Sequence, residues 1–200
     1  MAPLTVHASP FTLSPTMSTS LESQSKFLSL VLRHQPQTIG LSLDAQGWAD
    51  IESLIALANA KGQAFSRERI GEIVATSDKK RFATDATGMR IRANQGHSLG
   101  VDLQLEPKQP PSTLFHGTAS RFVPSILAQG LQPQSRQHVH LSSAHETANT
   151  VGARHGKPVV LTIEAQRMHQ LGHVFYCSDN GVWLTDCVPA QFIALPSLAI

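Results

Sequence analysis

In the first half of the chain, apolar positions recur at helical spacing. Phe27, Leu28, Val31 and Leu32 fall at i, i+1, i+4 and i+5 of the stretch Ser25–His34. They form one face of a helix over residues 22–34 that Pro36 stops. Ile51, Leu54, Ile55 and Ala58 give a second helix, over 48–58, with Asp50 as its N-cap. Ile70, Ile73 and Val74 give a third, opened by Ser66. There Ser66-Arg67-Glu68-Arg69 has the spacing of a capping box without its closing acid. A short strand and turn is expected over 41–47. The period then shortens. Residues 81–84 and 89–92 alternate on either side of the Gly-bearing turn Asp85–Gly88, which predicts a β-hairpin. Three helices followed by a hairpin is the layout of a winged helix, a module often used on nucleic acid, although layout alone does not fix use.

The Pro-rich polar stretch 104–112 marks a boundary. Beyond it short strands dominate. Residues 113–116 form a strand that ends in Gly117-Thr118, and 138–141, 174–176, 182–184 and 191–193 are further strands. The run Pro158–Ile163, the most β-prone, belongs at the centre of a mostly antiparallel sheet. Helices are expected from Ser120, as N-cap, to Gly130, and over 143–151. The fold class is therefore α+β. Residues 1–21 form a tail, 22–103 a helical lobe, 104–112 a linker and 113–200 a β-rich lobe.

The composition narrows the classes of function. The apolar fraction, 41% of 200 residues, is ample for a packed core, and no run is long enough to span a membrane. Residues 1–21 are rich in Ser, Thr and Pro and carry no Lys, Arg, Asp or Glu. They do not read as a secretory signal and are expected to be disordered. Cys177 and Cys187 match neither a zinc spacing nor a disulfide framework, so free thiols in a reducing cytosol are expected. The net charge is only +2, but residues 61–97 hold eight Lys and Arg against four Asp and Glu. That local excess points to a phosphate-rich partner.

Candidate chemistry gathers in four stretches. Arg33 and His34 stand together at a helix end, a planar fork of donors beside a ring that switches near neutral pH. Asp78-Lys79-Lys80-Arg81-Phe82 adds cations. His116-Gly117-Thr118 offers ring and hydroxyl donors on either side of a glycine that lets a flat ligand approach the backbone. In His138-Val139-His140 both imidazoles share one strand face, with Arg136 before them and Ser142 after. A third zinc ligand at a recognisable spacing is missing, and the alternative is the polar wall of a pocket. Dinucleotide-binding, P-loop and nucleophile-elbow motifs are absent. Many cations and few carboxylates suit gripping phosphates better than activating water.

The motifs Ser25-Lys26-x-Leu28-Ser29-x-Val31-Leu32-Arg33-His34, Gly47-Trp48, Ser77–Phe82, Gln95-Gly96-His97, His116–Thr118, Arg136–Ser142 and Asn180–Leu184 occur in the order seen in the RNA 2′-phosphotransferase family, the tRNA 2′-phosphotransferase or KptA type, which the chain resembles over about residues 22–195. The resemblance implies a winged-helix lobe and an ADP-ribosyltransferase-like lobe. It also implies transfer of an RNA 2′-phosphate to NAD⁺ through a 2′-phospho-ADP-ribosylated RNA. The products are 2′-OH RNA, ADP-ribose 1″,2″-cyclic phosphate and nicotinamide. By the same resemblance Arg33, His34, Arg81 and Arg136 are the catalytic set, and Lys79 and Lys80 bind RNA phosphate. His116, Gly117, Thr118 and Ser142 line the NAD⁺ pocket. NAD⁺ is the co-substrate, no metal takes part, the partner is a 2′-phosphorylated RNA, and a cytoplasmic monomer is expected. Many ADP-ribosyltransferases carry a catalytic Glu where this chain has Val182-Trp183-Leu184, which suits a nucleophile that arrives already ionised. Two rivals are a protein or nucleobase ADP-ribosyltransferase, which would want that carboxylate, and a non-catalytic RNA-binding module, which would leave His116–Thr118 and Arg136 idle.

Overall fold

Burial of the predicted apolar faces organises the chain. The computed structural model describes residues 20–77 and 79–195. Most of the expected N-terminal tail, together with Asp78 and the last five residues, lies outside the described residues. Helix α1 spans Leu21–Arg33, with Ser20 as its N-cap, so these two positions belong to the helix rather than the tail. Its Leu28, Val31 and Leu32 are fully buried, each worth about 1.5–3 kcal/mol of transfer free energy. Strand β1 is Ala49–Asp50, and helix α2, Ile51–Asn59, begins where the Asp50 carboxylate accepts the Ser53 N–H at 2.7 Å. Helix α3, Arg67–Thr76, is capped by Ser66 as expected. Strands β2, Phe82–Thr84, and β3, Arg90–Ala93, form the predicted hairpin, and β1 joins it to give the antiparallel order β1-β3-β2.

The strand expected over 41–47 is absent. Asp44 accepts the N–H groups of Gln46 and Trp48, both at 2.9 Å, so one carboxylate folds this segment into a turn.

The remaining elements build two further sheets. Strand β4, Leu114–Ala119, pairs antiparallel with β6, Pro158–Ile163, over six residues, and β9, Ile193–Ala194, lies on the far side of β6. The expectation that β6 is central holds. The expectation that β4 stops before Gly117 does not, because Gly117 and Thr118 pair with Val160 and Val159. The other sheet has the order β5-β8-β7, from Val139–Leu141, Trp183–Thr185 and Tyr176–Cys177. One bridge, Phe115 to Ser142, joins the two sheets. Helix α4 is Val123–Gln129, entered through a 3₁₀ turn over Ser120–Phe122, so Ser120 is not its cap; Gly130 ends it at φ +79°. Helix α5 is His145–Gly152, and α6 is Ala165–Gln170.

Most of the buried apolar residues fall into two clusters, one from Leu28 to Ala93 and one from Leu114 to Phe192. The stretch read as a linker is not loose throughout: Pro107 bridges Tyr176, and the Lys108 N–H donates to the Phe175 carbonyl. Cys177 and Cys187 are unpaired. Among the described residues no helix is long and apolar enough to cross a membrane.

Candidate active site

The end of α1, the loop before β2, the segment after β3, and strands β4 and β5 meet at one place. Arg33 sits there with its guanidinium largely buried. Its Nη2 donates to the Arg81 carbonyl at 3.4 Å, and the guanidinium lies 6.0 Å from the Phe82 ring centre. Burial lowers Arg33 to about 10, and the neighbouring Arg136 and Arg81 push the same way. His34 Nδ1 is 3.0 Å from Ser98 Oγ, and Ser98 N–H donates to the Arg33 carbonyl. Burial and then the charges of Arg33 and Arg136 lower His34.

The loop that carries Arg81 is held by its main chain. The Lys79 carbonyl accepts Asn180 Nδ2 at 2.9 Å, the Lys80 carbonyl accepts Asn94 Nδ2 at 2.7 Å, and the Arg81 carbonyl accepts both Asn94 N–H and Arg33 Nη2. Lys80 takes a left-handed φ of +39° between them. Three successive carbonyls are thus fixed without use of the Lys80 or Arg81 side chains. Lys79 and Arg81 line a cleft of about 520 Å³ that also reaches His34.

From the β5 side, Arg136 Nη1 lies 3.1 Å from His140 Nδ1. A guanidinium only donates, so Nδ1 accepts, and the neutral ring carries its proton on Nε2. Burial, then Arg136 and Arg33, lower His140 to about 3. The His140 carbonyl accepts from His116 Nδ1 at 3.0 Å, which fixes the tautomer of that ring too. Burial lowers His116, and this hydrogen bond opposes the shift. The His138 ring lies against Tyr176 and near Asp186, and with His97 and His140 it lines a small cavity. Among the described residues no three His, Cys, Asp or Glu side chains are grouped to hold a metal ion.

His97 completes the cluster and was not among the expected site residues. It is 1% exposed, and burial, then Arg33, His34 and Arg92, lower it to about 4. Its signal lay in the Gln95-Gly96-His97 motif. Gly47 packs against the ring, where a Cβ would make only an ordinary contact of 3.4 Å with His97 Nε2, and it is the left-handed backbone (φ +79°) that favours glycine there. At Gly96 (φ +87°) a Cβ would meet Arg33 Nη1 and His140 Nε2 at 3.7 and 3.8 Å. Among the described residues, Arg33 Nε, Arg92 Nε, Asn94 Oδ1, His140 Nε2 and both His97 nitrogens are buried without a protein partner. Buried polar atoms are normally satisfied, so such a concentration marks a polar binding site. No carboxylate among the described residues pairs with Arg33, Arg81 or Arg136. By contrast, other cations of the basic stretch serve the fold. Arg67 bonds Glu52, Arg69 bonds Gln24 and Glu72, Arg90 bonds Asp85 and Asp44, and Arg90 and Arg92 both lie against Trp48.

The residues expected to line a nucleotide pocket are adjacent, but the reason for the glycine is different. A Cβ on Gly117 would lie 1.7 Å from the Ala148 carbonyl oxygen, so the space is filled by α5 and not open to a flat ligand. What Gly117 offers is its main chain. Phe115 bonds Ser142 through both N–H and C=O, and alternation along β4 then turns the Gly117 N–H and C=O to the same edge, away from β6. Thr118 is buried, on the same face of β4 as His116. Ser142 Oγ closes a turn onto Ala144 at the start of α5.

Comparison with known proteins agrees with this chemistry. The family model described as RNA 2′-phosphotransferase, Tpt1 / KptA family, matches residues 19–187. A probable RNA 2′-phosphotransferase of Rhodopirellula baltica is 58% identical over 178 residues, 88% of this chain and 97% of that protein. One of Hahella chejuensis is 58% identical over 179 residues, 90% and 96%, and one of Pseudomonas aeruginosa 55% over 175 residues, 87% and 96%. With a family model covering most of its length and relatives this similar along nearly their whole length, the chain belongs to the RNA 2′-phosphotransferase, Tpt1 / KptA family.

Proposed function

We propose that the protein is an NAD⁺-dependent RNA 2′-phosphotransferase. In this reading residues 22–103 are a winged-helix RNA-binding lobe and 113–200 an ADP-ribosyltransferase-like lobe. The observation that carries the reading is the meeting of Arg33, His34, Arg81 and Arg136 with no carboxylate among the described residues in an ion pair to any of the three arginines. Three guanidinium groups grip phosphate oxygens through planar forks of donors, and the site pairs no carboxylate with them to serve as base for a neutral acceptor in the first step. The nucleophile it suits is a phosphate that arrives ionised.

NAD⁺, as co-substrate, supplies an anomeric carbon with nicotinamide as a neutral leaving group. The Gly117 main chain and the His116 ring are at hand for it, with Thr118 and Ser142 beside them. The chain positions the two polyanions against each other and excludes water. In the second step the ribose 2″-OH attacks the phosphorus and expels the RNA 2′-oxygen, which leaves as the 2′-OH, and the charge that builds on the phosphoryl oxygens meets Arg81 and Arg136. His34, neutral more often than an exposed histidine at pH 7 because burial lowers it, orients the phosphate or moves a proton at Nε2. Lys79 and Lys80, both exposed, bind flanking RNA phosphate.

The decisive experiment mixes the protein with NAD⁺ and matched oligonucleotides carrying either a 2′-phosphate or a 2′-OH. Nicotinamide release and loss of phosphate from RNA with the first, and neither with the second, is the expected result. Release of nicotinamide with either RNA would instead indicate a general ADP-ribosyltransferase, and no release with either a binding module.

A further inference from the structure

The reaction uses only the end of α1. Arg33 and His34 lie in the cationic cluster, yet the same helix carries Ser25, Lys26 and Ser29 on the face turned away from Leu28, Val31 and Leu32. With Glu22 and Leu30 they recur every three or four residues, the spacing that puts side chains on one stripe. That stripe forms one wall of the 520 Å³ cleft. The C-terminal end of α3 and the loop after it form the other, through Ile73, Thr76 and Ser77. The cleft therefore opens at His34, Lys79 and Arg81 and runs along α1 for about 18 Å to Glu22, at 1.5 Å per residue.

Its chemistry is mixed in a particular way. Leu30 stays 39% exposed, an apolar surface within the cleft. Hydroxyls of Ser25, Ser29, Thr76 and Ser77 line the walls. The cations Lys26, Lys79 and Arg81 face one carboxylate, Glu22, which pairs with Lys26 at 2.7 Å. Apart from the His34 imidazole at its mouth, no aromatic ring among the described residues lines it, so a base beside Leu30 would lie on aliphatic surface. The volume is that of a small-ligand pocket, right for a nucleotide and too small for a duplex.

We propose that this cleft holds the nucleotide next to the one whose 2′-phosphate reacts. Its phosphate faces Lys26, its sugar hydroxyls Ser25 and Ser29, and its base the side chain of Leu30. The inference rests on the proposed function and deepens it. The enzyme selects a flexible single strand on one side of the reacting phosphate, and Glu22 restrains that grip by occupying Lys26.

The test compares kcat/KM for a minimal 2′-phosphorylated dinucleotide with the same substrate extended by one nucleotide at either end, the dinucleotide serving as reference within each variant. The wild-type protein should prefer extension at one end by about tenfold, the worth of one hydrogen bond to a charged group. Lys26→Ala should remove most of that preference and reduce the salt slope for the extended substrate by about one. Ser29→Trp, which fills the cleft, should abolish the preference. Glu22→Gln should strengthen it, an effect that mere damage to the helix would not produce. Lys26 and Glu22 are exposed, so both variants fold. If the wild-type protein turns over the dinucleotide but the extension preference is absent, or survives all three substitutions, the cleft assignment is wrong and the proposed function stands. If no 2′-phosphorylated substrate is turned over, both fall.

Discussion

Replacing Gly117 by Ala tests how β4 and α5 are locked together. A methyl group at this position would lie 1.7 Å from the Ala148 oxygen, 2.6 Å from its carbonyl carbon and 2.9 Å from the Gly152 nitrogen. Ordinary contact needs about 3.4 Å or more, so α5 must retreat by roughly that difference. The obstacle is backbone, which cannot rotate aside as a side chain would. Overpacking of this kind costs about 1–3 kcal/mol, and a main-chain clash belongs at the upper end. The entropy gained by restricting the unfolded chain, about 0.4–1 kcal/mol, offsets part of it. A net loss of about 2–3 kcal/mol lowers Tm by roughly 5–10 °C in a chain of this size. The measurement is thermal unfolding followed by circular dichroism, with Gly71→Ala as control. Gly71 lies inside α3 with nothing within 4 Å of its would-be Cβ, and alanine there should stabilise by up to about 1 kcal/mol. A Gly117→Ala protein melting within about 2 °C of wild type would refute the account, as would a shift of the same sign in both variants.

Four further outcomes are expected. In turnover assays His140→Ala should lose roughly tenfold or more in kcat/KM, because Arg136 loses an acceptor worth about 1.5–3 kcal/mol; His140→Asn, which restores an oxygen near Nδ1, should recover part of it, and equal losses would remove the orienting role. Arg81→Ala should still release nicotinamide but stall at ADP-ribosylated RNA, since one lost oxyanion donor costs about a hundredfold; a gel time course with no accumulating intermediate would make Arg81 a ground-state clamp. Stability should be complete above about pH 6.5, the ordinary histidine value. It should fall as pH drops towards the folded-state value of about 4 for His97, because the unfolded chain then binds a proton the folded chain excludes. The slope is about 1.4 kcal/mol per pH unit for each such histidine, and His97→Gln should flatten urea-unfolding stability against pH by one proton. RNA affinity should weaken as salt rises while turnover persists in EDTA; salt-independent binding, or activity restored by added zinc, would count against the phosphate-gripping site.

Where local chemistry decides structure, the sequence could be read. Helix α1 followed from Leu28, Val31 and Leu32, and the starts of α2 and α3 from Asp50 and Ser66, because each cap acts on an N–H three residues away. The Asp85–Gly88 turn was legible for the same reason: Asp85 accepts the N–H groups of Met89 and Arg90. Errors arose where distant segments decide. Gly117 resembles a strand end, and only pairing with β6 carries β4 through it. The strand expected at 41–47 was lost to the Asp44 carboxylate. Of the site, Arg33 and Arg136 could be chosen as cations in motifs. His97 stood in a motif too, but only the fold brings it against Gly47, fifty residues earlier, and beside Arg33. Only the fold, too, gives His138 and His140 their different partners, one against Tyr176 and the other against Arg136.

The anchoring of residues 79–81 through three carbonyls has a consequence for how this protein can be altered. A carbonyl is the same in every residue, so Asn94 and Asn180 hold the loop without regard to the side chains it displays. Position 80 can therefore be exchanged for residues that tolerate its left-handed backbone, such as Asn or Gly, which changes the charge displayed there while Arg81 keeps its place. Substitution at Asn94 or Asn180 does the reverse. It leaves every cation in the chain and displaces the frame that presents them.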